Sequence, residues 1–213
     1  MGKYLINVAF NTRVNKTIRT LEIAESFGLG LEEKEWTLYD NLELDIAGGD
    51  VVYVTGQSGS GKSVILRELQ SLMAKNGQTV ASIDDFVFRD DTNVIDQLGK
   101  TTSDALGLLS MAGLNDAYLF VRKPSEMSDG QKYRLKIAKL IESGADVWVA
   151  DEFGAVLDRV TAQVVASNLQ RAARAAGATV IVATTHEDLK NALRPSVQIT
   201  KHYKERVKVD YEH

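Results

Sequence analysis

The chain has 213 residues, of which 44% are hydrophobic and 25% are charged, and its formal net charge is −4. This length suits a single domain with a substantial core, and the absence of cysteine excludes disulfides, thiol catalysis and cysteine-ligated metal sites. The negative net charge argues against binding to nucleic acid through bulk charge alone.

Apolar runs in the chain are shorter than the ~18 residues that a membrane span requires. The first residues lack the apolar core of a secretory signal. We therefore expect a cytoplasmic protein without a membrane segment of its own.

The first 55 residues are predicted to be mainly β-structure, because their apolar residues are often β-branched or alternate with polar ones. The predicted strands cover 3–10, 17–24, 42–46 and 51–55. Residues 27–39 are rich in glycine and glutamate and are predicted to be a connection without an assigned structure.

From residue 56 onward, helical and strand patterns alternate. Predicted helices cover 63–75, 93–113 with a break near Gly99, 128–143, 158–176 and 187–194. Predicted strands cover 79–83, 147–150, 179–185, 196–203 and 205–211. The order predicts an α/β fold with a mainly parallel core sheet and an N-terminal antiparallel β-subdomain.

We expect one domain over residues 1–213. Its parts are a mainly β region at 1–55, a loop and first helix at 56–78, a reduced helical region at 86–143, and a return to the core with the final strands at 144–213.

The strongest motif follows the buried strand 51–55 and precedes a helix, and it satisfies the phosphate-loop (P-loop, Walker A) pattern G-x-x-x-x-G-K-[ST]. Its glycines let backbone N–H groups face phosphate oxygens, and the helix adds its N-terminal partial positive charge. Lys62 would contact the β- and γ-phosphates, and the Ser63 hydroxyl would bind Mg²⁺. The alternative is an ordinary Gly/Ser turn before a helix. The candidate nucleotide-binding residues are Gly56, Gln57, Ser58, Gly59, Ser60, Gly61, Lys62, Ser63 and Val64.

A second candidate site is the acidic pair that ends the apolar strand 147–150. In a parallel sheet, a carboxylate at this strand end lies at the same edge as the phosphate loop. Asp151 would then hold Mg²⁺, and Glu152 would polarise the attacking water. Taken alone, the pair is more typical of an acidic loop or helix cap, and its position beside a phosphate loop is what favours the metal and base roles.

Three further features carry a family resemblance. Met127-Ser128-Asp129-Gly130-Gln131 begins a predicted helix and resembles the Leu-Ser-Gly-Gly-Gln signature of ATP-binding cassette (ABC) ATPases. Asp151–Asp158 resembles the Asp-Glu to Ala-Leu-Asp run of that family, and His186 follows a strand where the family has its switch histidine. Ser128 with Gln131 is also a plain helix capping box, which is compatible with a phosphate site.

The resemblance implies a P-loop NTPase fold and a head-to-tail homodimer that holds ATP between its two copies. Ser128, Gly130 and Gln131 of one copy would contact the γ-phosphate bound to the other. Asp158 would cross the interface. Glu152 would be the general base, and His186 would orient the γ-phosphate and the water.

Three positions depart from the family pattern or are ambiguous. Asp129 stands where the family prefers glycine, and it adds a negative charge near the γ-phosphate. The glutamine that follows the strand after the first helix is missing, and Asp84 and Asp85 stand there as weaker metal candidates. Phe27 resembles the aromatic residue that stacks on adenine, with Trp36 and Tyr39 as rivals.

The interval from Lys62 to Ser128 is short for a transporter cassette. The run 124–153 resembles a group of soluble ABC-type ATPases, some of which carry a fused predicted acetyltransferase domain that this chain lacks. We therefore expect a soluble ATPase that drives a conformational switch. The alternatives are a nucleotide-gated binding module with little turnover, a transporter's ATP-binding subunit, and a P-loop kinase for a small molecule.

Partners beyond ATP and a second copy stay open at this level. The terminal cluster Lys201, Lys204, Arg206 and Lys208 is either a contact for nucleic acid or an acidic partner, or the solvated face of a hairpin. An unknown protein partner is compatible with the sequence, because function beyond hydrolysis depends on attached surfaces.

Overall fold

The computed structural model describes residues 2–203 and 205–212, apart from the side chain of Lys34. Lys204, one of the four residues of the predicted basic cluster, lies outside the described residues. The chain forms two compact units, a small one at Tyr4–Leu44 and a large one that runs from Asp45 onward and includes the residues before Tyr4.

The small unit holds most of a two-stranded sheet and one helix. The strands are β1 (Gly2–Thr12) and β2 (Lys34–Ile46), and the helix between them is α1 (Ile18–Phe27). The predicted strand at 17–24 is therefore wrong, and β2 begins within the stretch that was predicted to be a connection.

The caps of α1 explain why this segment is a helix. The backbone N–H of Thr20 donates to the Thr17 hydroxyl at 3.2 Å, and the N–H of Thr17 donates to the Thr20 hydroxyl at 2.8 Å. Gly28 ends the helix in the left-handed region at φ 62°. The β-branched residues predict a strand by propensity, but a reciprocal cap and a glycine stop outweigh that weak preference.

The large unit is built on a six-stranded sheet in the order β4-β5-β6-β3-β7-β8. The strands are β3 (Val51–Thr55), β4 (Val80–Ser82), β5 (Val147–Ala150), β6 (Thr179–Thr184), β7 (Val197–Thr200) and β8 (Lys208–Tyr211). Neighbouring strands are parallel except for β8, which is antiparallel to β7.

The remaining helices are α2 (Lys62–Lys75), α3 (Thr102–Met111), α4 (Ala117–Phe120), α5 (Asp129–Glu142), α6 (Arg159–Ala176) and α7 (Lys190–Leu193). The predicted break near Gly99 is confirmed, because a 3₁₀ turn at Val94–Gln97 precedes it and α3 follows it. Between β4 and α5 the chain forms only short helices, as expected for a reduced helical region.

The strands at the centre of the sheet are continuous apolar runs because helices cover both of their faces. Every residue of β3, β5 and β6 is buried. The core also contains the large side chains of Tyr53, Trp148 and Phe153. The α/β fold with a parallel core and an antiparallel β-subdomain is thus confirmed. Within the described residues, no helix combines the length and apolar character needed to cross a membrane.

Candidate functional site

The phosphate loop connects the end of β3 to the start of α2. At Gly56 the backbone has φ 136°, and a Cβ added there would lie 1.8 Å from the carbonyl oxygen of Lys201. Lys201 follows β7, and its N–H donates to the carbonyl of Thr55 at 2.9 Å. Only glycine therefore fits between the loop and the neighbouring chain.

Lys62 lies inside this loop and is only 9% exposed. Its Nζ donates to the carbonyls of Gly56 at 2.8 Å and Gln57 at 2.7 Å. Burial lowers the pKa of Lys62, and the negative charges of Asp151 and Glu152 partly oppose that shift. A buried ammonium that is bonded to neutral carbonyls is stabilised further by an anion, so the loop is suited to phosphate.

The loop also contains a polar atom without a partner. The Ser60 hydroxyl oxygen is buried and forms no hydrogen bond among the described residues. Buried hydroxyls are normally bonded, and a phosphate oxygen would supply the missing partner. The residues present thus fit the triphosphate that the motif predicts.

The donors for Mg²⁺ lie on two elements. Ser63 is in the first turn of α2, and Asp151 directly follows β5. No cluster of three or more His, Cys, Asp or Glu side chains suited to a metal occurs among residues 2–203 and 205–212. A hydroxyl and one carboxylate are nevertheless what Mg²⁺ uses beside phosphate oxygens, so the donor set fits this ion.

The loop after β5 carries Glu152 in an unusual conformation. Its φ is 46°, in the left-handed region that non-glycine residues seldom adopt. The next residue is fixed to β6 at both polar atoms: the N–H of Phe153 donates to the Ala183 carbonyl at 2.8 Å, and its carbonyl accepts the Thr184 hydroxyl at 2.8 Å. These hydrogen bonds to β6 hold the left-handed conformation of Glu152 in place. Strained backbone conformations of this kind are common at functional sites.

His186 follows β6, which lies between β3 and β5 in the sheet. Its N–H donates to the Thr184 hydroxyl at 3.1 Å, and its carbonyl accepts the hydroxyl of Tyr53. A Cβ added at Gly154 would lie 3.9 Å from Cδ2 of His186. The imidazole thus lies beside the loop that carries Glu152.

The predicted signature residues form the N-terminus of α5. The N–H of Gln131 donates to the Ser128 hydroxyl at 3.3 Å, and the N–H of Ser128 donates to Oε1 of Gln131 at 2.9 Å. Ser128 and Asp129 are exposed. A Cβ added at Gly130 would lie 3.2 Å from the carbonyl oxygen of Val156, so this turn packs against the loop before α6.

Comparison with known proteins decides the family. The family model described as ABC transporter matches residues 39–155. The chain belongs to this family. It is an ABC-type ATPase domain.

Two similar curated proteins come from Rhodococcus jostii (strain RHA1). The aliphatic sulfonates import ATP-binding protein SsuB 2 is 31% identical, over 76% of this chain and 72% of its own length. The methionine import ATP-binding protein MetN 2 is 28% identical, over 85% of this chain and 62% of its own length. The cytochrome c biogenesis ATP-binding export protein CcmA of Ruegeria sp. (strain TM1040) is 28% identical, over 76% of this chain and 83% of its own length.

Solved structures share the fold. A dimeric post-hydrolysis state of an ATP-binding cassette bound to ADP and Pi has a TM-score of 0.67 at 19% identity, with 97% of this chain and 98% of that chain covered. A putative metal-chelate type ABC transporter in an inward-facing conformation has a TM-score of 0.61 at 21% identity, with 81% and 77% covered.

In this ABC domain the two carboxylates at the position of the family glutamine are not equivalent. Asp85 accepts the N–H of Ser82 at 2.9 Å and caps a short 3₁₀ turn. Burial raises the pKa of Tyr133, and the negative charges of Asp84 and Asp151 raise it further. Asp85 is thus engaged in a local cap, and Asp84 as a ligand for Mg²⁺ stays a prediction.

Tyr133 on α5 is a site residue that sequence reasoning missed. Its hydroxyl oxygen accepts the N–H of Gly154 at 3.2 Å, and its ring meets Phe153 edge-on with the centroids 6.1 Å apart. The signature helix is thus bonded directly to the loop that carries Glu152. Its sequence position on an amphipathic helix gives no signal beyond core packing.

The remaining predicted residues belong to the small unit or make local bonds. Phe27 ends α1 in the small unit and is 72% exposed, Trp36 is 44% exposed, and Tyr39 is buried. Asp158 caps α6 by accepting the N–H groups of Val160 and Thr161. The Thr161 hydroxyl also donates to Asp158 and lowers the pKa of this carboxyl.

The predicted basic cluster does not form one face. Lys201 is buried at 4% exposure, and its Nζ donates to the carbonyl of Glu205. Lys208 pairs with Asp210 at 3.0 Å, whereas Arg206 is exposed. The burial of Lys201 means that the described members of the cluster do not share one solvated face.

Proposed function

We propose that this domain binds Mg-ATP and hydrolyses it to ADP and phosphate at a head-to-tail homodimer interface, where hydrolysis drives a conformational switch. The proposal rests on the arrangement of Lys62, Glu152 and His186 at the carboxyl ends of β3, β5 and β6. The carboxyl ends of these three strands thus bring together a loop that can bind phosphate, a candidate general base, and a candidate residue to orient the γ-phosphate and the attacking water.

In this proposal Lys62 exchanges the carbonyls of Gly56 and Gln57 for phosphate oxygens. Glu152 accepts a proton from the water that attacks the γ-phosphate, and His186 orients that water and the phosphate. Mg²⁺, held by Ser63 and Asp151, would neutralise phosphate charge when bound. The N–H groups and hydroxyl at the start of α5 would bind the γ-phosphate of the second copy.

The exposed, self-capped turn at Ser128–Gln131 supports the second half of the site. The N–H groups of Ser128 and Gln131 are bonded within the turn. The turn lies at a helix N-terminus, which attracts anions. Asp129 contributes a negative charge there. It would weaken contact with the γ-phosphate and favours slow turnover over fast turnover.

The test is sedimentation of the Glu152→Gln variant with and without Mg-ATP. Because the base is removed but the cradle is intact, we expect ATP to bind and hold a stable dimer. The matched control is Glu22→Gln, an exposed carboxylate on α1 that should leave turnover and assembly unchanged. A Glu152→Gln variant that binds ATP and remains a monomer would contradict the dimer.

We further propose that the domain works in the cytoplasm without a membrane partner. The short helices between β4 and α5 and the aspartates in place of the family glutamine support this. The names of the import relatives favour a second candidate, the ATP-binding subunit of a transporter. Purification from membranes with a copurifying integral protein would decide for that candidate.

A nucleotide-gated binding module is the other alternative. It shares the cradle and the dimer but releases phosphate very slowly. Measurement of steady-state phosphate release by the unaltered chain separates the two: turnover above about 0.1 per second is incompatible with a pure gate, since typical enzymes reach about 1 per second or more.

A further inference from the structure

A basic groove lies between α6, the end of α3 and the turn after α7. We define the arginine groove by Arg171 and Arg174 on α6, Arg194 after α7, and the polar residues Asn115 and Asn168. Its volume is about 1040 Å³. This volume exceeds what a single small anion occupies and lies at the upper end of the range for ligand-binding clefts.

The charge of the arginine groove is unusual for a chain with a net charge of −4. None of the described residues that line it is Asp or Glu. Within the described part of the chain, Arg171, Arg174 and Arg194 form no ion pair with a carboxylate. Lys190 lies beyond Arg194 and is paired with Glu212, so the unbalanced charge is confined to the three arginines.

The backbone fixes two of these arginines. Arg174 donates from Nη2 to the carbonyl of Arg194 at 2.7 Å, and Arg194 has φ 46° in the left-handed region. The guanidinium of Arg174 is thereby held against the backbone of Arg194, and both side chains line the same groove although they belong to different elements. Basic residues near the end of α6 also suit its dipole, but that effect does not account for Arg194 or for the lack of carboxylates.

We propose that the arginine groove binds an acidic peptide segment of a protein partner. Guanidinium groups match carboxylates in bidentate geometry. Serine and asparagine side chains line the groove beside them and supply acceptors for peptide N–H groups, which the phosphodiester backbone of DNA does not offer. Met111, which is 39% exposed, adds an apolar contact.

Both walls of the groove are connected to the nucleotide site. One wall is α6, whose 18 residues begin directly after Asp158. The other wall ends in the turn at Gly113, whose carbonyl accepts Nη1 of Arg134 at 2.7 Å. Arg134 lies on α5 and also donates from Nε to the carbonyl of Gly130 at 3.3 Å. A bound segment therefore bridges elements that lead to Asp158 and to the signature turn.

The groove is tested without nucleotide, so that the outcome is independent of the proposed hydrolysis. The probe is a fluorescent ten-residue peptide of alternating glutamate and serine, and binding to the full chain is followed by fluorescence anisotropy. We expect saturable binding that weakens with added salt. A peptide with lysine in place of glutamate should not bind.

The variant Arg171→Glu/Arg194→Glu should weaken binding at least about tenfold, because two attractive charges become repulsive. Arg122→Glu/Arg206→Glu makes the same charge change at exposed sites outside the groove and should change affinity less than about twofold. Should the groove variant fail to fold, Arg171→Glu alone serves, since this exposed side chain makes no ion pair among the described residues.

Equal loss of binding in both double variants would overturn the proposal. Equal binding of the lysine peptide, or no binding of the glutamate peptide at millimolar concentration, would overturn it as well. Tighter binding of a twenty-nucleotide single-stranded DNA that depends on the same arginines would also overturn it and assign the groove to nucleic acid. A separate ATPase measurement with saturating peptide tests the coupling, which rests on the proposed function, whereas peptide binding does not.

Discussion

The phosphate loop and the signature turn are two helix starts with opposite properties. At the loop, Lys62 is buried, Ser60 has an unbonded hydroxyl, and the backbone presses against Lys201. At the turn, Ser128 is exposed and its hydroxyl is already bonded to Gln131. The loop thus has buried donors that suit an anion, whereas the Ser128 hydroxyl at the turn already has a partner within its own helix start.

This difference predicts that mutations in the loop change fold and binding together. Gly56→Ala should have the largest effect, because the new Cβ meets the Lys201 carbonyl and the φ of 136° is strained for alanine. We expect a loss of about 3 kcal/mol or more in the free energy of unfolding. Denaturant titration and ATP binding measure the two effects. Gly48→Ala is the control, because a Cβ there meets nothing within 4 Å.

The signature turn should separate stability from function. Ser128→Ala removes a helix cap and should cost about 1 kcal/mol of stability. Thr101→Ala removes the equivalent capping box at the start of α3 and should cost about the same. Only the first variant should also lose ATP turnover in the proposed dimer. Equal turnover in the two variants would mean that Ser128 is a cap and nothing more.

Tyr133 connects the signature helix to the nucleotide site, because its hydroxyl links α5 to the loop that carries Glu152. Tyr133→Phe keeps the ring against Phe153 but removes the acceptor for the Gly154 N–H. The loss of one buried hydrogen bond costs about 1 kcal/mol. We expect kcat to fall severalfold with an unchanged KM for ATP. Tyr118→Phe is the control, since Tyr118 is 75% exposed. An increase in the KM for ATP alongside the fall in kcat would instead mean that the substitution disturbs nucleotide binding as well as the loop of Glu152.

The smallest effect on stability is expected at the amino-terminal ends of β4 and β5, whereas the candidate site lies at the carboxyl ends of the strands. Asp146 accepts the N–H of Thr79 at 2.8 Å and its hydroxyl at 2.7 Å, and these bonds lower the pKa of Asp146. A lowered native pKa stabilises the fold above the unfolded pKa, near 3.9, and this contribution is lost as pH falls further. Asp146→Asn should flatten the acid limb of the stability curve, measured by thermal unfolding from pH 6 to pH 2, without changing turnover at neutral pH.

Sequence patterns predict the buried parts of this fold well. The strands at 51–55 and 147–150 are found as predicted, because a continuous apolar run between polar neighbours has few other solutions. The segment Ile18–Phe27 was predicted to be a strand from its partly alternating, β-branched residues, and the capping box at Thr17 and the glycine stop at Gly28 that make it a helix were not considered. The exposed half of the chain is thus less predictable than the buried half.

The candidate site divides in the same way. The residues that carry motif chemistry, such as Lys62 and Glu152, are recognisable because phosphate chemistry dictates their type and spacing. Tyr133 was not recognisable, since its role depends on a hydrogen bond between elements far apart in sequence. The burial of Lys201 was equally hidden, because a lysine in a charged run normally lies in solvent.

The approach of Lys201 to Gly56 has a consequence for fragments of this protein. A chain cut before β7 would retain every nucleotide motif, from the glycine-rich loop to His186, but would lose the strand end that confines the loop. Such a fragment would carry the recognisable signals of an ATPase while lacking one wall of its own binding site.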